Sequence, residues 1–410
     1  MLNAGTRVSV RRFSALVGFV IALLAPARAL PAEDAGSLAH HLLFAANDGI
    51  HGFELWRSDG TGGGTELLKN LAPGSDTSFP GQFSRLGKHR ILFSATGANG
   101  RELWRSDGTK HGTKLVKDIN NGPLSSSPTD GVVLNGQVYF DADDGLHGYE
   151  LWRSDGTNHG TKLVKDIVSG PPSSGAAALA RLGKHIYFRA TDPIHGAELW
   201  RSDGTKTGTK LLKNIAPGSA SSNPVETFAS DGQIYFDAAD GDHGSELWKS
   251  DGTRSGTKLL KDINPDAIGS APASFASLGG KVLFRAAGAD GGELWKTDGT
   301  KSGTKQVKDI DPAGDSNPSN LVRVGNRVFF RATVASVTGL WRTDGTKQGT
   351  KLVSNAASPC VLAPFGGRVF YAGNEPAKGF ELWRSDGTAS GTKRVKDILP
   401  GPGSSYPFCD

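Results

Sequence analysis

The chain reads as an all-β protein, a single eight-bladed β-propeller of four-stranded antiparallel blades, and three observations predict it. All eight tryptophans occupy one motif position: Trp56, Trp104, Trp152, Trp200, Trp248, Trp295, Trp341 and Trp383, at spacings of 48, 48, 48, 48, 47, 46 and 42 residues. An Asp-Gly-Thr follows each, and a second Gly-Thr comes three residues later, from Asp59-Gly60-Thr61 and Gly64-Thr65 to Asp386-Gly387-Thr388 and Gly391-Thr392. No stretch of useful length carries helical periodicity, which counts against the helical repeat families. Internal periods of this size mean a solenoid, a propeller or an array.

One unit decides among these. Residues 224–232 (PVETFASDG) read as a strand ending in a turn, and 233–238 (QIYFDA) as a second strand. Residues 246–250 (ELWKS) form a third strand after the turn at 240–244, and 257–263 a fourth after the turn at 251–256. Four short antiparallel strands joined by Gly-rich turns make a propeller blade. On the third strand each Trp can lie between neighbouring blades, burying roughly 150–250 Å² of ring. The Asp of Asp-Gly-Thr can accept backbone N–H groups within its own turn while the Gly takes the left-handed conformation.

The chain ends predict how the ring closes. Leu42-Leu43-Phe44 aligns with a second strand, and residues 404–410 align with the start of a first strand. The C-terminal strand is therefore expected to join the N-terminal blade. Cys360 and Cys409 fall at nearly equivalent positions on adjacent inner strands, and a Cys360–Cys409 disulfide across the closure is expected.

Residues 1–29 have the form of a cleavable signal peptide, with Arg7, Arg11 and Arg12, an apolar stretch over 13–24 and the small-x-small site Ala27-Arg28-Ala29. This makes 30–410 the mature propeller, secreted or periplasmic. Arg11-Arg12 leaves twin-arginine export open beside the general route. No other segment could span a bilayer. The net charge of +5 and pI near 9.0 come largely from lysines at two repeated positions, such as Lys114 and Lys117 or Lys258 and Lys261. On an outermost strand, such lysines guard an exposed sheet edge. Nucleic-acid binding would gather basic residues on one face with aromatics between them, and the sequence shows no such pattern.

Seven of the eight copies keep Glu-Leu-Trp, and over residues 44–398 the chain resembles the ELWxxDGT repeat proteins, secreted proteins of bacteria. The resemblance implies a propeller-like fold and no established activity. The seventh copy departs, with Gly339-Leu340-Trp341 and with Ser354-Asn355-Ala356 where the others read Lys-Asp/Asn-Ile/Leu. Four copies, beginning at Ala46, Ala142, Ala190 and Ala238, read Ala-x-Asp-x-x-His-Gly-x-Glu-Leu-Trp. This is similar to the tryptophan-docking motif of eight-bladed quinoprotein dehydrogenases, with His in place of the usual Thr. It implies eight blades with stacked Trp, but the vicinal cysteines and channel calcium ligands of those enzymes have no counterpart in the sequence.

His51, His147, His195 and His243 each follow an Asp by three residues: Asp48, Asp144, Asp192 and Asp240. A metal would need several ligands converging at about 2.0–2.2 Å, and loops of adjacent blades are too far apart for that. Each Asp–His pair is expected to bond within its own turn. The sector with His147, His195 and His243, with His51 beyond it, is the candidate partner-binding rim. Asp141, Asp143 and Asp144 are the candidate ligands for Ca2+, against the alternative of solvated turn residues.

The inner strands (Gln82, Thr129, Asp130, Ala176, Glu226, Thr227, Ser274, Asn320) offer one acid–base pair, Asp130 with Glu226. No Ser-His-Asp order, P-loop or zinc-protease motif is present, and no catalytic residue is assigned. The expectation is a monomeric, non-enzymatic binding or scaffolding ring presenting loops to an envelope or extracellular protein or polysaccharide. The alternative is an enzyme using the channel mouth, either a metal-assisted hydrolase or lyase or a quinoprotein-like oxidoreductase. A third reading, a cell-surface coat, would show self-association.

Overall fold

The computed structural model describes residues 37–38, 40–74, 76–129, 131–265, 268–355, 359 and 361–408. Within them the chain forms eight four-stranded antiparallel sheets, each built of consecutive strands, arranged in a ring. In blade 5 the strands are Thr227–Ser230, Gln233–Ala238, Glu246–Ser250 and Lys258–Lys261. The second and third match the sequence expectation residue for residue; the first and fourth are shorter, their ends passing into loops. Among the described residues no helix is long and apolar enough to cross a membrane. The signal segment and both cysteines lie outside the described residues.

The Trp positions explain why flat blades pack into a ring. A bulge at the Leu247–Trp248 step breaks the register between the third and fourth strands of blade 5, and the same step is irregular in every blade. Trp248 lies in one apolar cluster with Tyr187, Leu199 and Leu212 of blade 4. Lys213 at the end of blade 4 donates to the Thr257 carbonyl of blade 5 at 2.6 Å and holds its Nζ 5.7 Å from the Trp248 ring centre. The edge-guard reading of the lysines therefore needs a correction. Lys114 and Lys258 are exposed, but Lys117 and Lys261 reach across to the next blade.

The glutamate of Glu-Leu-Trp has its own task. Glu198 is fully buried and accepts from the backbone N–H of Ile215, Ala216 and Ser222 and from the Ser222 hydroxyl. It thereby satisfies the backbone of the loop leading to the next blade. Burial raises its carboxyl above the ordinary value, against the pull of those bonds. Blade 7 carries Gly339 here, and a side chain at that position would collide with Leu352 and the Ser354 carbonyl. The lost Glu and the altered fourth strand are one departure.

The Asp-Gly-Thr turns form as expected. Asp155 accepts from the Thr157 N–H at 2.9 Å and its hydroxyl at 2.7 Å, and Gly156 has φ of 82°. The second glycine is required by contact: a Cβ on Gly160 would lie 2.0 Å from the Asp155 carboxylate. Gly160→Ala is expected to displace that carboxylate and cost about 2 kcal/mol in urea unfolding. An unchanged midpoint would show that the turn does not need the contact.

The ring closes by sharing one strand between the two ends of the chain. Ser37–Leu38 pairs with one end of the second strand of blade 1 (Ser37↔Leu42, Leu38↔His41). At its other end Asn47 N–H donates to the Ser405 carbonyl and Phe408 N–H to the Ala45 carbonyl. Phe408 packs on Phe44 at 5.1 Å, and Lys396 and Arg384 donate to the Thr65 and Gly60 carbonyls, as their counterparts do at other junctions.

Candidate functional site

The turns between second and third strands and the connections between blades share one face, called here the His face; the Asp-Gly-Thr turns lie on the other. Each rim histidine bonds its own turn. The Nδ1 atoms of His51, His147, His195 and His243 stand 2.7, 2.8, 2.9 and 3.0 Å from a carboxylate oxygen of Asp48, Asp144, Asp192 and Asp240. Burial pushes the Asp144 carboxyl up, but the bonds from His147 outweigh it and leave the group below its ordinary value. The same bond raises His147, and Asp240 raises His243 likewise.

Asp141, Asp143 and Asp144 go to separate partners. Asp143 accepts from Gly145 N–H, Asp144 from Leu146 and His147, and Asp141 from Ala176 N–H of the next blade at 3.2 Å. Among the described residues no three His, Cys, Asp or Glu side chains are grouped so as to hold a metal. Glu226 is buried and accepts from Ser274 N–H at 2.7 Å and Phe275 N–H at 3.2 Å, which ties the inner strands of blades 5 and 6. Its expected partner Asp130 lies outside the described residues.

A layer of charge that the sequence reading missed sits on the second strands, one residue after the buried aromatic. Blades 1, 2 and 8 carry Ala45, Ser94 and Ala372 there, while blades 3 to 7 carry Asp141, Arg189, Asp237, Arg285 and Arg331. Asp141, Asp237 and Arg285 bond the chain at the starts of inner strands. Asp237 accepts from Val225 and Glu226 N–H and from the Ser245 hydroxyl. Arg285 donates to Asn317 Oδ1 of the next blade and to the Ala271 carbonyl. Arg189 Nε is buried with no hydrogen-bond partner among the described residues.

Burial pushes Asp141 up to about 7, with Glu150 and Asp143 adding to it and Arg189 opposing. Burial likewise raises Asp237 to about 6. Both therefore change protonation near neutral pH. The signal was present in the sequence as a charged residue between Phe and Ala in an otherwise apolar strand; grouping Asp141 with Asp143 and Asp144 as one acidic turn, a candidate Ca2+ site or solvated, hid it.

No family model and no curated protein matches the chain. Its fold is similar to that of solved structures at low identity. Puromycin hydrolase is 12% identical with a TM-score of 0.51, the match covering 77% of this chain and 53% of that one. A mutant of puromycin hydrolase complexed with PGG is 17% identical with a TM-score of 0.50, covering 83% and 58%. A structure from a study of two prolyl endopeptidases is 15% identical with a TM-score of 0.52, covering 77% and 48%. The chain spans about half the length of these proteins. The likeness establishes the fold. Against the expectation of a non-enzymatic scaffold stand the names of these neighbours, a hydrolase and prolyl endopeptidases. That expectation rested on the regular repeat, the small side chains along the inner strands and the lack of a recognisable catalytic set, whereas the buried carboxylates stand one strand further out.

Proposed function

We propose that the chain is a hydrolase of peptide-like amides whose chemistry sits in the axial mouth of the His face. The observation that carries this reading is the pair of buried carboxylates raised to about 7 and about 6, Asp141 and Asp237, on either side of the blade bearing Arg189. A group titrating near the working pH can both give and take a proton. Asp237, the more acidic, accepts the proton of a water that adds to the substrate carbonyl. Arg189, whose buried Nε–H meets no acceptor among the described residues, stabilises the oxyanion. Asp141 then protonates the leaving nitrogen as the C–N bond breaks. The names of the neighbouring structures support amides as the bond class.

Assay of the purified protein against aminoacyl amides and short peptides between about pH 5 and 9 tests the reading. Turnover is expected to fall at least about 100-fold in Asp141→Asn and in Asp237→Asn. Undiminished turnover in both variants would reject these roles. A second reading follows from the chain spanning about half of its structural neighbours: the ring admits substrate to a catalytic unit on another chain. Cleavage seen only after adding that unit would favour it.

A further inference from the structure

The two faces of the ring differ in chemistry. Of ten exposed large apolar side chains on the described surface, nine lie on the His face. Ile50, Leu146 and Ile194 stand at the tips of three Asp-x-x-His turns, the last 71% exposed. Leu124 and Ile268 project from the connections into blades 3 and 6, and Val225 from the start of an inner strand. The tenth, Leu352, sits on the outermost strand of blade 7. Scattered single apolar residues are ordinary on a protein surface; nine gathered on one face are not.

Charge is divided in the same way. Among the described residues, the loops of the His face hold thirteen aspartates, none of them buried, and a single lysine or arginine, Lys378. Lys378 is already paired with Asp397 at 2.9 Å. The loops of the opposite face hold nine aspartates and seven lysines or arginines. The whole chain carries a net charge of +5, so the negative face is not inherited from overall composition. The Asp–His turns build both features at once, because each fixes a carboxylate and, between Asp48 and His51, Asp144 and His147, or Asp192 and His195, lifts one aliphatic side chain into solvent.

We infer that the His face recruits cationic polypeptides bearing apolar side chains, and that these are the substrate class of the mouth it surrounds. Only their naming as substrates rests on the hydrolase reading. The acidic field draws lysine- and arginine-rich chains in and orients them, and the apolar tips retain those that also carry leucine-like side chains. An acidic peptide is repelled, and a cationic chain without apolar groups is held only while salt is low.

The test is fluorescence anisotropy with two labelled peptides of equal length, one alternating Lys and Leu, the other Glu and Leu. The protein carries Asp141→Asn and Asp237→Asn so that binding is read without cleavage. The Lys–Leu peptide is expected to bind at least about tenfold more tightly than its acidic counterpart at low salt, with the gap narrowing as salt rises. Adding Leu146→Ser with Ile194→Ser should weaken it about tenfold, whereas Leu352→Ser should leave it unchanged. Equal binding of the two peptides, or full affinity in the Leu146/Ile194 double variant, overturns the inference. Binding as described, with no cleavage by the unsubstituted protein, sinks the hydrolase reading alone. Absence of binding sinks the recruiting face whatever the cleavage assay gives.

Discussion

Glu198→Ala is expected to destabilise the ring by about 4 kcal/mol in urea unfolding. The side chain is fully buried, and its removal leaves three backbone N–H groups without their acceptor and the Ser222 hydroxyl with only the Ala197 carbonyl at 3.5 Å. An unsatisfied buried donor costs roughly 1–3 kcal/mol, partly recovered if water enters. Glu198→Gln keeps one acceptor oxygen and turns an NH2 toward groups that donate, so its loss should be smaller. Glu66, exposed and paired with Arg57, supplies the contrast: Glu66→Ala should change stability by under about 0.5 kcal/mol. A Glu198→Ala loss no larger than that would show that the loop does not depend on its carboxylate.

The second large effect carries the opposite sign. Asp141 in the folded protein holds its proton up to about pH 7, while the unfolded carboxyl releases it near 4. Between those values the folded state binds the extra proton, so stability falls as pH rises through the window and levels off above it. The decline from this one group is on the order of 4 kcal/mol. Asparagine cannot ionise and can still accept from Ala176 N–H. Asp141→Asn should therefore match the native protein near pH 4 and exceed it increasingly up to about pH 7. Urea midpoints of both proteins across that range decide the matter; a gap independent of pH would refute it.

The architecture was legible because repeated residues meet repeated needs. Trp248 needs a neighbour's apolar flank, Asp155 needs Gly160 beside it, and both recur at fixed spacing in every copy. The carboxylate–arginine layer was not legible in that way, because it is what the repeats do not share. Alternation along a strand tells which residues point the same way, but not whether that side meets solvent or a neighbouring blade. Asp141 and Asp237 took the second course. Likewise, nothing in Lys117 or Lys261 distinguishes an edge guard from a side chain that reaches the next Trp; only the neighbour's position does. The Asp–His turns were read correctly because both partners lie three residues apart.

The divided strand of blade 1 bears on how the protein comes into being. Seven blades and most of the eighth, including the Ser37–Leu38 end of its first strand, can form as the chain emerges, each resting on the one before. The final seat in blade 1 stays empty until residues 405–408 arrive from the far end of the chain. Until then two blade flanks stand open, one at each end of an arc of near-identical units, and either could dock on an unfinished neighbour. Residues 405–408 thus act as a latch on maturation. A chain lacking them would keep almost every contact within its blades, yet remain an assembly-prone crescent.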